Sequence, residues 1–159
     1  MAKDFSEILV IGVSSRALFN LEEGNEIFEN EGIEAYRKYQ QENEDKQLDP
    51  GTAFYLVKNI LELNKQANKQ IVEVVVMSRN SPETGVRMLN SIKEHNLEIT
   101  RIALSGGEPL SPYIEAFDID LFLSKDDKDV QDIIDSKTCA AATIYAPPLK
   151  FDSRDSRVK

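Results

Sequence analysis

The stretch ILVIGVSSRALF, residues 8–19, decides the fold. It contains an apolar run, Ile8–Val13, that ends in a polar corner formed by Ser14, Ser15 and Arg16. A short apolar run bounded by polar residues is typical of a strand buried inside a sheet. The sequence therefore predicts a buried strand that delivers three polar side chains to one edge of the protein.

Four more short apolar runs follow this strand, and helical patterns separate them. The runs are Ile71–Met77, Ile99–Leu104, Leu121–Leu123 and Ala140–Tyr145. The first of these, IVEVVVM, is rich in β-branched residues and nearly continuous, as expected for a strand covered on both faces. The alternation predicts an α/β fold, a three-layer α/β/α, Rossmann-like arrangement around a parallel sheet of about five strands.

The segment 14–70, after the first strand, is longer than a crossover between parallel strands usually is. It is charged and helical, with helices predicted over Glu26–Asn43 and Thr52–Asn68 on either side of the turn LDPG. The first of these helices has an aromatic side formed by Phe28, Tyr36 and Tyr39. We interpret the segment as a small helical cap-like insert or as an enlarged crossover.

Length and composition fit one globular domain. The chain has 159 residues, and we assign residues 1–148 to a single α/β domain and residues 149–159 to a polar tail or linker. Lys and Arg number 19 against 28 Asp and Glu, so the net charge of −9 disfavours nucleic acid or an anionic membrane as a partner. A local cationic pocket for a small phosphorylated ligand remains compatible with that charge.

Several features predict a cytoplasmic protein. No apolar run approaches the roughly 20 residues that span a bilayer, and the start, MAKDFSE, lacks the apolar core of a signal peptide. Cys139 is the single cysteine, which excludes an internal disulfide, and its small neighbours predict a buried side chain.

The single histidine, His95, is expected at a solvent-exposed helix end.

Each predicted strand ends in small or polar residues, and in a parallel sheet these ends meet at one edge, where ligands bind in open α/β folds. Hydroxyls, glycine amides and arginine are the groups that bind phosphate. The candidate phosphate- or nucleotide-binding residues are Ser14, Ser15, Arg16, Ser78, Arg79, Asn80, Ser105, Gly106 and Gly107. The alternative is that turns simply require such residues, and Arg16 has a second possible role in a salt bridge to the acidic insert.

Several blocks of the sequence resemble the type I cytosolic 5′-nucleotidase family. They are VIGVSSRALF, YRKYQQENE, LDPGTAF, VVVMSRNSPETGVRMLNSI, SGGEPLSPYIEAFDIDLFLS and AAATIY, and they cover nearly the whole chain. The resemblance implies a haloacid-dehalogenase-like fold, hydrolysis of nucleoside monophosphates, AMP above all, and Mg²⁺ as cofactor.

The catalytic residues of that superfamily are only partly matched. The resemblance places the attacking Asp at Val13 and the acid/base Asp at Ser15, and neither residue can perform the role. The phosphate-binding Ser is kept as Ser78, whereas the Lys position falls near Leu110 with no Lys close by. We therefore assign no catalytic residue.

The acidic pair that holds Mg²⁺ in the superfamily is expected near Leu123 and Ser124. Asp126 and Asp127 come a few residues later, so they are weak metal candidates, and capping of the following helix is the alternative. The resemblance implies an Asp-Gly-Asp motif in a later half of the family's proteins. We expect this chain to be an amino-terminal, non-catalytic part, with a carboxyl-terminal catalytic half or a homo-oligomer as partner; the alternative is a nucleotide-binding, regulatory or scaffold module.

Overall fold

The computed structural model describes residues 5–145 and places five parallel strands in one sheet. The strands are β1 (Leu9–Ser14), β2 (Val72–Ser78), β3 (Arg101–Leu104), β4 (Leu121–Ser124) and β5 (Ala140–Thr143). Their order across the sheet is β3-β2-β1-β4-β5. The sequence predicted all five strands and their parallel arrangement, and both predictions are confirmed.

Seven helices connect and cover these strands in the described part of the chain. They are α1 (Ser15–Leu18), α2 (Glu22–Glu31), α3 (Ile33–Glu42), α4 (Phe54–Ala67), α5 (Pro82–Glu94), α6 (Ser111–Ala116) and α7 (Asp127–Ser136). None of the helices within residues 5–145 is long and apolar enough to cross a membrane. The predicted tail, residues 149–159, lies outside the described residues.

The sheet has a separate apolar core on each face, which gives the predicted three layers. Val13 of β1 packs with Val57 of α4 and Ile92 of α5 on one face. On the other face, Val10 packs with residues of α6 and α7 such as Ile133. Because side chains alternate along a strand, β1 supplies both cores and is buried in the middle of the sheet.

The single helix predicted over Glu26–Asn43 is wrong, because Gly32 divides it into α2 and α3. Gly32 has a φ of 88°, a backbone conformation that a side chain disfavours and that glycine adopts readily. The chain reverses there, and the rings of Phe28 and Tyr36 meet edge to face across the two helices at 5.9 Å. We call residues 22–42 the α2–α3 hairpin.

The long segment after β1 contains a true crossover helix as well as this hairpin. Phe54, Val57 and Leu61 bury one side of α4 against the sheet. The α2–α3 hairpin instead packs against α5 through α3. The segment is therefore an enlarged crossover from which a helical hairpin projects.

Two smaller predictions are also corrected. The ring of His95 is half-buried, with the rings of Phe19 at 5.7 Å and Phe54 at 4.8 Å, and its Nε2 lies 2.8 Å from the carbonyl oxygen of Leu48. Residues before α4 fold back over the end of α5 and cover it. Cys139 is half-buried rather than buried, because it precedes the edge strand β5.

Gly51 is packed so closely against α1 that no side chain fits. A Cβ atom at this position would lie 2.5 Å from the carbonyl oxygen of Ala17 and 2.8 Å from backbone atoms of Phe19. We expect Gly51→Ala to lower the free energy of unfolding by about 1–3 kcal/mol, because backbone atoms must move. Urea denaturation followed by circular dichroism measures this change.

Gly24→Ala is the matched control, since its added Cβ meets side-chain atoms, of which the closest belong to Gln40 and Tyr36 at 3.2 Å. Those side chains can shift, so the control should cost clearly less than Gly51→Ala. Equal losses for the two variants would contradict the close backbone packing at Gly51.

Candidate functional site

The carboxyl ends of β1, β2 and β4 and the loop after β3 open into one cavity of about 590 Å³. This volume is within the range of small-molecule sites. Eight of the nine candidate residues line the cavity, namely Ser14, Ser15, Arg16, Ser78, Arg79, Asn80, Gly106 and Gly107. Ser105 is buried beside it, and its hydroxyl donates to the carbonyl oxygen of Glu108 at 2.7 Å.

A pair of serine hydroxyls lies at the base of this cavity. The hydroxyl of Ser15 donates to Ser78 Oγ at 3.0 Å, and the backbone N–H of Asn80 donates to the same oxygen at 3.1 Å. A hydroxyl has two lone pairs and one hydrogen, so both acceptor positions of Ser78 are filled. Its own O–H has no acceptor among residues 5–145 and is therefore a free donor at the cavity wall.

Val13 lies in the sheet core rather than in this cavity. Its side chain is fully buried against the α4 and α5 side of the sheet, whereas the next two residues, Ser14 and Ser15, line the cavity. The Oγ of Ser14 accepts from the N–H of Ala17 at 3.2 Å and begins α1. The position that the family resemblance gives to the nucleophile thus offers only apolar surface.

The amides of the Ser105–Gly107 loop are already occupied. The N–H groups of residues 105, 106 and 107 donate to the carbonyl oxygens of Ser78, Asn80 and Arg79, respectively, at 2.9, 3.1 and 2.7 Å. The loop therefore fastens the turn after β2 instead of offering amides to an anion. Binding of a phosphate by these amides stays a prediction that the contacts do not support.

Arginines outnumber carboxylates on the cavity wall, where Arg16, Arg37 and Arg79 face Asp126 and Asp129. Three guanidinium groups thus lie at this edge of a protein whose net charge is −9. A guanidinium carries five N–H donors, so an ion pair with one carboxylate leaves others for a ligand. The wall is suited to an anionic ligand.

Each of these arginines also has an acidic partner within the protein. Arg79 forms an ion pair with Asp129, Arg16 lies 3.8 Å from Glu22 of α2, and Arg37 lies 3.0 Å from Glu34 of α3. The second role expected for Arg16, a salt bridge to the acidic insert, is therefore present. Glu22 also forms an ion pair with Lys125, whose hydrogen bond is the main cause that lowers the pKa of Glu22.

Asp129 is buried behind Arg79. Burial raises the pKa of its carboxyl group above the ordinary 3.8, and the positive charge of Arg79 partly opposes the rise. The pairing was not predictable from spacing, since the two residues are 50 positions apart and belong to different strand-end turns.

Asp126 and Asp127 are engaged in the start of α7. Asp126 Oδ1 accepts from the N–H groups of Lys128 at 2.9 Å and Asp129 at 3.1 Å, and Asp127 Oδ1 accepts from the hydroxyl of Thr143 at 2.9 Å. Mg²⁺ requires several oxygen ligands in a nearly octahedral array. Over residues 5–145, no three His, Cys, Asp or Glu side chains are grouped to hold a metal ion. These residues do not fit Mg²⁺, and the contacts of Asp126 agree with the capping alternative.

The α2–α3 hairpin forms the apolar wall of the cavity. Phe28, Ile33 and Tyr36 of the hairpin contribute to it, together with Leu21 just before α2. The hydroxyl of Tyr36 donates to Asn80 Oδ1 at 3.1 Å and so ties the hairpin to the turn after β2, and burial raises the pKa of Tyr36. The sequence showed the aromatic residues but not that they face the strand ends.

The parallel sheet with its cavity at the carboxyl edge is a haloacid-dehalogenase-like α/β fold. The chain aligns with the HAD domain of effector protein Lem4 from Legionella pneumophila at a TM-score of 0.51, covering 92% of this chain and 90% of that one. At 12% identity the likeness concerns the fold alone.

The family is narrower than the fold. A family model described as 5′-nucleotidase matches residues 1–159. Cytosolic 5′-nucleotidase 1B of Homo sapiens is 35% identical over 143 residues, which are 86% of this chain and 23% of that protein. The chain belongs to the 5′-nucleotidase family and spans about a quarter of the length of this relative.

Replacement of Asp126 separates capping from other roles of its carboxylate. Asp126→Ala removes the acceptor of two N–H groups, so we expect a loss of about 1 kcal/mol in the free energy of unfolding. Asp126→Asn keeps an acceptor oxygen and should cost clearly less. Urea denaturation in the presence of a chelator measures both, and equal losses would show that the charge matters more than the cap.

Asp129 should make stability fall as pH rises. Its raised pKa means that the folded state holds this proton more tightly than the unfolded state, so the cost of ionisation develops as pH rises from about 3.8 through the folded-state value. Asp129→Asn lacks this cost. Urea denaturation gives the free energy of unfolding of the variant minus that of the wild type, and we expect this difference to be more positive at pH 7 than at pH 3. A difference that does not change with pH would contradict the prediction.

Proposed function

We propose that this chain is a nucleotide-binding, non-catalytic unit of a 5′-nucleotidase that holds an AMP-type nucleoside monophosphate in its strand-end cavity. The observation that carries the proposal is the serine pair. Ser78 offers a free hydroxyl donor at the position that resembles the phosphate-binding Ser of the superfamily, and Ser15, at the acid/base position, donates to it at 3.0 Å. A phosphate contact is available without a reacting carboxylate.

The phosphate group would meet donors of two kinds in this cavity. Phosphate oxygens accept hydrogen bonds. The cavity offers donors to them from the Ser78 hydroxyl and from the guanidinium groups of Arg16 and Arg79. The arginine ion pairs lie at the exposed side of the wall, with side chains that are 42% exposed. A dianionic ligand can therefore compete with Glu22 for Arg16 without burying an unpaired charge.

Hydrolysis needs a nucleophile and a base, and the two carboxylates on the cavity wall, Asp126 and Asp129, are engaged in the α7 cap and in the ion pair with Arg79. Val13 is apolar and buried, and a serine hydroxyl attacks only when a base removes its proton. The proton of Ser15 instead points to another hydroxyl. The single imidazole of the chain, that of His95, packs against the rings of Phe19 and Phe54 and does not line the cavity.

The remaining functions belong to a larger assembly in this proposal. The human relative is about four times longer than the matched region, and we propose a carboxyl-terminal catalytic half, or failing that a homo-oligomer, as the partner that hydrolyses the nucleotide. Mg²⁺, implied by the family, would act there, since residues 5–145 lack a suitable carboxylate set. The net charge argues against nucleic acid or an anionic membrane as partner, and we propose a cytoplasmic location.

A turnover assay tests the lack of catalysis. We expect the purified 159-residue chain, given AMP and Mg²⁺, to release phosphate no faster than a blank without protein. Phosphate release well above the blank that a chelator abolishes would overturn this part of the proposal.

Calorimetry tests the binding part. We expect AMP to bind and Ser78→Ala to weaken binding about 10- to 100-fold, because a hydrogen bond to a charged group is lost. Ser136→Ala, at the end of α7 and outside the cavity, is the matched control and should bind AMP like the wild type. Absence of heat at millimolar AMP would contradict nucleotide binding and favour the scaffold alternative.

A further inference from the structure

The strand-end cavity has two chemically different walls. One wall carries hydroxyl and guanidinium donors, and the other, on the α2–α3 hairpin, carries the large apolar side chains of Phe28 and Ile33. Phe28 is 47% exposed and Ile33 45% exposed, although both belong to a cavity wall. Exposed large apolar side chains inside a cavity are typical of a ligand-binding surface.

The ring of Phe28 is held in place by a series of contacts that leads back to Ser78. Its ring packs edge to face with Tyr36 at an interplanar angle of 79°. The Tyr36 hydroxyl donates to the side chain of Asn80, and the backbone N–H of Asn80 donates to Ser78 Oγ. The aromatic surface and the phosphate donor are thus positioned by the same turn.

We propose that Phe28 is the platform on which the base of a nucleoside 5′-monophosphate stacks while its phosphate contacts Ser78. This inference rests on the proposed function and adds the part of the site that contacts the base. Edge contact with Tyr36 leaves a face of the Phe28 ring for a second aromatic group, and stacked rings are a favourable arrangement.

The platform should select for the presence of a base more than for its identity. A phenylalanine ring has no hydrogen-bonding groups, and base–aromatic stacking is tolerant of sequence. Asn25, one turn before Phe28 on the same wall, donates its side-chain amide to Glu29 at 3.0 Å and is already engaged. Purine and pyrimidine monophosphates should therefore bind in the same cavity, whereas a sugar phosphate lacks the stacking partner.

The test compares AMP, CMP and ribose 5-phosphate by calorimetry on the 159-residue chain. We expect Phe28→Ala to weaken AMP and CMP binding about 5- to 100-fold and to leave ribose 5-phosphate unchanged, because only stacking is removed. Phe28→Trp should restore binding of both nucleotides. Leu56→Ala, an exposed apolar residue of α4 that does not line the cavity, is the matched control and should change nothing.

The outcomes separate this inference from the proposed function. Ser78→Ala should weaken all three ligands, since all carry the phosphate. If AMP binds in a Ser78-dependent manner but Phe28→Ala has no effect, the platform is refuted and the phosphate site stands. If ribose 5-phosphate binds as tightly as AMP to the wild type, the base makes no contact and the platform is refuted as well. If no ligand depends on Ser78, the proposed function itself fails.

Discussion

The parallel pairing of β1 with β2 on one side and β4 on the other is the constraint on which the structure depends. It buries β1 on both faces and brings the residues that follow these three strands to a single edge of the sheet. The hydroxyl pair Ser15–Ser78 follows directly from this pairing, because Ser15 comes immediately after β1 and Ser78 is the last residue of β2. A cavity at that edge is the position where open α/β sheets bind ligands.

The residues at this edge explain why the strand order can be kept whatever side chain ends β1. The strand order and the corner after β1 require only apolar residues in the strand and small polar residues in the turn, and Val13, Ser14 and Ser15 satisfy both. A carboxylate at the end of β1 would be a repulsive group beside a bound phosphate unless cations offset it. With Val13 at that position, the donors of Ser78, Arg16 and Arg79 face the cavity without such a carboxylate at the end of β1.

The sequence was sufficient to predict the parallel sheet and the gathering of polar residues at one edge of it. The contacts between those residues were not predictable. Strands such as IVEVVVM are nearly continuous apolar runs, and parallel strands end at one edge, so the approximate site followed from local patterns. The break at Gly32 did not, because a single glycine is tolerated within many helices. Two contacts of the site depend on which strands are neighbours: the hydrogen bonds of the Ser105–Gly107 amides to the turn after β2, and the Arg79–Asp129 ion pair. The strand order is set by tertiary packing.

Titration of the ¹⁵N-labelled chain with AMP, followed by NMR, tests most directly whether the carboxyl edge of the sheet is the nucleotide site. We expect the amide shifts to change at residues 14–16 and 78–80 and along the α2–α3 hairpin, which share the cavity. Shift changes confined to the opposite edge, where Phe5, Asp118 and Thr138 line a second cavity, would contradict it. So would a spectrum that AMP leaves unchanged.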